Sequence, residues 1–81
     1  MSTRAWIYEA IDRERAFQDG KWGDIKRHPH SLQDWVNIMV KELGEAAIAI
    51  VEGRSRDARR ELLQVIAVGV AALEQHGVEE R

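Results

Sequence analysis

Glu42, Glu45, Glu61 and Gln64 are spaced about one glycine, Gly53, in a way that could build a single site. Glu45 lies eight residues before Gly53 and Glu61 eight after; Glu42 lies eleven before and Gln64 eleven after. If the flanking segments are antiparallel helices joined at Gly53, a rise of about 1.5 Å per residue sets Glu45 level with Glu61 and Glu42 level with Gln64. Three carboxylates and one amide then converge between two otherwise apolar helices. Carboxylates gathered in this way repel one another and resist desolvation, so the cluster calls for a cation. An all-oxygen ligand set suits a hard ion, magnesium or manganese. The expected metal ligands are therefore Glu42, Glu45, Glu61 and Gln64.

Three helical segments must position them. The first is expected from about Thr3 to Asp19, capped by Ser2 or Thr3 and ended by Gly20. Trp6, Ile7, Ala10, Ile11 and Phe17 recur at helical spacing, which predicts a core-facing stripe that includes Trp6. Residues 20–30 read as a loop, with two glycines, a proline and the side chains Lys21, Trp22, His28 and His30. Ser31 is a good N-cap for the second helix, and Asp34 suits its first turn. Glu42 and Glu45 fall on the shoulder of that helix's apolar stripe; Glu42 shares its side with Trp35, Ile38 and Ala49. Ser55 is expected to cap a third helix from about Arg56 to Gln75. After Glu61 that helix is apolar around most of its circumference, so two partner helices hardly cover it. A homo-oligomer, at least a dimer, is expected.

The 81 residues make one domain, 1–81, of the all-α class: three helices, the last two an antiparallel hairpin, assembled into an oligomeric bundle. Cysteine is absent, which excludes zinc–thiolate sites and disulfide frameworks. A net charge of −2 does not mark a general nucleic-acid binder. No signal-peptide pattern opens the chain, and the longest apolar run, residues 65–73, is too short to span a bilayer. A soluble cytoplasmic setting is the expectation.

The run Lys41-Glu42-Leu43-Gly44-Glu45-Ala46, followed by Glu61-Leu62-Leu63-Gln64-Val65, resembles the MazG-like all-α nucleoside triphosphate pyrophosphohydrolases. That family holds magnesium with an ExxE pair on one helix and an ExxD pair on the next. The stretch from Glu14 through Lys21-Trp22-Gly23 also looks like a segment that precedes the ExxE helix in some members. The resemblance implies hydrolysis of an NTP or dNTP between the α and β phosphates, releasing monophosphate and pyrophosphate. Glu42, Glu45 and Glu61 would be the catalytic carboxylates. Lys21 would contact phosphates and Trp22 would stack on a base. Gln64 stands where the family pattern more often has Asp, which lowers the ligand charge from four to three. Asp57, one turn before Glu61, could contribute in its place. Many relatives continue beyond the third helix.

Plainer readings stand beside these. Glu42 and Glu45 could pair with arginines as helix–helix salt bridges. The arginines at positions 54, 56, 59 and 60 read first as a solvated hairpin tip balanced by Glu52, Asp57 and Glu61, and only second as a nucleic-acid contact. The alternative to an enzyme is a non-catalytic helical protein that binds a nucleotide or a partner without turnover.

Overall fold

The computed structural model describes residues 2–81, and its only regular elements among those residues are helices, without a strand. Its elements are α1 (Arg4–Trp22), α2 (Leu32–Val51) and α3 (Ser55–His76). Among the described residues no helix is long and apolar enough to cross a membrane.

Helix α1 starts at the expected cap: the Thr3 hydroxyl accepts the Trp6 N–H at 3.3 Å. It does not stop at Gly20. The helix runs on to Trp22 because Arg15 and Asp19 brace its last turns as an i,i+4 ion pair of 3.0 Å, and Lys21 suits the C-terminal end of the helix dipole. Gly23, with φ +88°, ends it and donates its N–H to Asp19 O. Its positive φ favours glycine, and a Cβ there would collide with the His28 imidazole that lies against it. Lys21 and Trp22 are thus helix residues, not loop residues.

The hairpin expected at Gly53 is present. Arg54 N–H reaches Ala49 O at 2.8 Å and Gly53 N–H reaches Ile50 O at 3.0 Å, with Gly53 at φ +76°. These are the paired bonds of a Schellman closure, which satisfies the last carbonyls of α2. The Ser31 hydroxyl caps α2 by accepting Asp34 N–H. Ser55 does not cap α3: it is the first helical residue, and its hydroxyl accepts instead from Arg59.

Helices α2 and α3 pack through small side chains. Ala46 and Ala49 of α2 and Ala58, Ala67 and Ala71 of α3 are buried. Gly69 leaves room for Met39, whose Cε would lie 3.1 Å from a Cβ there. Trp35 (9% exposed) closes one end of the core with Val68, Ala71 and Ala72, and Ile25, Ile38 and Met39 pack against that cluster. Its core placement matches the periodicity.

Helix α1 is attached differently, by polar groups. Arg15 (7% exposed) donates to Glu74 Oε1 at 2.9 Å and Oε2 at 3.2 Å, and Gln18 donates to the Gln64 carbonyl at 3.3 Å. The expectation that Trp6 belongs to the core is overturned: it is 70% exposed, and Ile7 and Phe17 are exposed with it. Both polar anchors sit in the second half of α1, and Trp6 lies more than two turns before the first of them. A periodic apolar stripe tells which residues share a side, not whether a neighbour within the same chain covers it.

Candidate functional site

The second half of α1, the connecting segment 23–31, the first half of α2 and the second half of α3 enclose a cavity of about 400 Å³. Aromatic and aliphatic groups form much of its wall, among them Trp22, Ile25, Trp35, Ile38 and Val68. Polar groups reach it at defined points: the Arg15 guanidinium, Gln18, His28, His30 and the Glu42 carboxylate.

The connecting segment is built rather than loose. The Asp24 carboxylate accepts the backbone N–H groups of Lys26 and Arg27, and its own carbonyl accepts from His28. Further on, Gln75 clasps the segment to the end of α3. Its Oε1 accepts both the His30 N–H (3.1 Å) and the Trp35 indole N–H (2.9 Å), and its Nε2 donates to the His30 carbonyl at 2.6 Å. The His30 ring stands edge-on to Trp35, with centroids 4.6 Å apart. Sequence spacing gave no sign of this clasp, because a glutamine near a helix end carries no pattern of its own.

At the Glu42 side the chemistry changes. Glu42 Oε2 and Glu61 Oε2 are both sealed from solvent and have no hydrogen-bond partner. Burial, followed by the negative charges of Glu61, Glu45 and Glu14, holds the Glu42 carboxyl above the ordinary carboxylate range; Lys41 offsets this only in part. The hairpin register therefore brings Glu42, Glu45 and Glu61 into one electrostatic neighbourhood. Pairing of Glu42 and Glu45 with arginines does not occur among the described residues, where every arginine ion pair lies elsewhere.

The other expected residues fall as follows. Gln64 is half-buried, and its carbonyl is the point where Gln18 of α1 is fastened. Asp57 is not free to help: Arg54 holds one of its oxygens at 3.1 Å and Arg60 the other at 3.8 Å, as part of a balanced, exposed tip with Glu52. Glu61 takes no part in that balance. Trp22 lines the cavity, while Lys21 lies outside it with its ammonium 4.6 Å from the centre of the Trp22 ring. Glu14 is the neighbour that spacing around Gly53 could not reveal, since it comes from α1.

Oxygen donors without partners fit a hard divalent ion chemically. Among the described residues, however, no group of three or more His, Cys, Asp or Glu is already arranged around one point as metal ligands would be. No family model, curated protein or solved structure matches the chain.

Proposed function

We propose that the chain is a divalent-metal-dependent nucleoside triphosphate pyrophosphohydrolase of the MazG-like kind, converting an NTP or dNTP to monophosphate and pyrophosphate. One observation carries the reading: the solvent-sealed, partnerless oxygens of Glu42 and Glu61, with Glu42 on the wall of a cavity lined by indole and aliphatic groups. A ligand suited to both features has a flat, weakly polar body and a polyanionic end able to bring a cation. A nucleoside triphosphate is such a molecule.

Glu42, Glu45 and Glu61 would hold magnesium or manganese, with the Gln64 carbonyl oxygen as a neutral fourth ligand. The ion when bound supplies charge neutralisation on the phosphate oxygens. A water oxygen forms a bond to the α-phosphorus, the bridging oxygen leaves with the β phosphate as pyrophosphate, and the water's proton passes to a carboxylate of the cluster. Trp22 and Trp35 would flank the nucleoside, while Arg15 on the cavity wall stays neutralised by Glu74 and Asp19. Lys21, displaced from the cavity wall, reaches phosphate only by leaving the Trp22 face.

The same reading has the chain acting as a homo-oligomer, a dimer at the least. Its support is the apolar surface left outward: Trp6, Phe17, Leu43, Leu62, Ile66 and Leu73 are all exposed. A second reading, a nucleotide- or partner-binding protein without turnover, is favoured by the neutral Gln64 and by the engagement of Asp57 with Arg54 and Arg60. A panel of canonical and modified triphosphates with Mg²⁺ or Mn²⁺ separates the two. Metal-dependent pyrophosphate release supports the enzyme; binding without release across the panel supports the alternative.

A further inference from the structure

We propose that α2 and α3 dock against the same two helices of a second copy of the chain, through one uncharged apolar face of the hairpin. The inference rests on the homo-oligomer of the reading above and names the surface that makes it; metal and nucleotide play no part in it.

The face is written in the spacing of α2. Val36, Val40, Leu43, Ala47 and Ile50 follow one another at steps of four, three, four and three residues, the repeat that keeps a seam on one side of a helix. All five are exposed. The buried residues of α2, Trp35, Ala46 and Ala49, form a separate line. Its charged residues are Asp34, Lys41, Glu42 and Glu45, and none belongs to the seam. On α3, Leu62, Ile66 and Leu73 are exposed, and no charged residue stands between Leu62 and Leu73. The two stripes meet in a groove of about 270 Å³ whose walls include Leu43, Ala47, Ile50, Ala58 and Leu62.

Among the described residues nothing within the chain covers that face. Helix α1 packs on α3 and not on α2. Its Gln18 fastens to Gln64, which at about 100° per residue lies on the opposite side of α3 from Leu62, Ile66 and Leu73. The total surface says how much cover is missing. A compact monomer of 9.3 kDa exposes about 5,000 Å². This chain exposes 6470 Å². The surplus, about 1,500 Å², falls within the roughly 1,000–2,500 Å² that each chain buries in an obligate homodimer. A seam without charge offers no electrostatic means of selecting a different partner, whereas a second copy presents a matching apolar seam across a two-fold axis.

The test is sedimentation equilibrium of the full chain, with helix content followed by circular dichroism. Wild type is expected to be a dimer at least at micromolar concentration. Leu43→Glu sets like charges near one another at the centre of the seam and is expected to raise the dissociation constant roughly hundredfold or more. Leu43→Ser should weaken association less and keep the helix content, and it decides the matter if Leu43→Glu loses its helices. Trp6→Glu, at an exposed apolar position on α1, leaves association unchanged. Unchanged association in both Leu43 variants, or an equal loss in Trp6→Glu, overturns this face while leaving the homo-oligomer standing. A wild-type chain that sediments as a folded monomer overturns both.

Discussion

Glu42 on α2 and Glu61 on α3 each keep one carboxylate oxygen hidden from solvent without a hydrogen-bond partner, and Glu61 is the charge that acts most strongly on Glu42. Such an arrangement costs stability unless something positive joins it. The protein therefore carries strain at one place in an otherwise consistent small helical fold, which is where function is expected.

If that strain serves a metal, removing a carboxylate removes chemistry. Glu42→Gln and Glu61→Gln should each lower metal-dependent pyrophosphate release by about 100-fold or more, the scale seen when a transition-state charge stabiliser is deleted. The measurement is steady-state release from the best triphosphate of the panel. Near-wild-type rates in either variant would remove that residue from the catalytic set.

The same carboxyl sets a pH dependence. Glu42 binds its proton more tightly in the folded protein than in the unfolded chain, so its contribution is fully present below the unfolded carboxylate pKa and lost as pH rises through the raised folded value. Without divalent ions, urea midpoints should fall across that window. Glu42→Gln should flatten the slope and raise the midpoint at neutral pH. A wild-type midpoint that rises steadily with pH through the same window, with Glu42→Gln unchanged, would contradict the burial of this charge.

Divalent ion should reverse the loss. At saturating Mg²⁺ or Mn²⁺, about 100 times the dissociation constant, linkage adds about 2.7 kcal/mol to unfolding stability. Thermal melts with and without the ion read this directly, and Glu61→Gln should respond much less than wild type.

Gln75 is expected to matter for the cavity although it touches no carboxylate. Gln75→Ala leaves the Trp35 indole N–H and the His30 backbone groups without their partner, a cost of about 1–3 kcal/mol. Denaturant unfolding measures the loss; substrate KM should rise more than kcat falls, because the clasp shapes the wall of the cavity. Gly23→Ala should be at least as disruptive, since it combines φ +88° with a collision against His28.

Much of this was legible in the chain before its structure. Gly53 and the Ser31 cap announced themselves, because turn and cap chemistry is local. The spacing about Gly53 set Glu42 where the charges of Glu61 and Glu45 act on it, because helical rise and an antiparallel register are fixed geometry. What spacing could not supply was the placement of α1. Its apolar stripe suggested Trp6 as core, whereas the buried contacts run through Arg15 and Gln18, whose pairing depends on Glu74 and Gln64 far along the chain. Glu14 and the Gln75 clasp were missed for the same reason. Gly20 misled because a glycine can end a helix but need not; the residues around it, Arg15 and Asp19, decided otherwise.

The most direct test of the central claim is a crystal soaked in Mn²⁺ and measured for its anomalous signal. The account requires a peak bound by both Glu42 and Glu61, with Glu45 in contact directly or through water. An empty site with the two carboxylates apart at millimolar Mn²⁺, or a peak only at surface acids elsewhere, would contradict it.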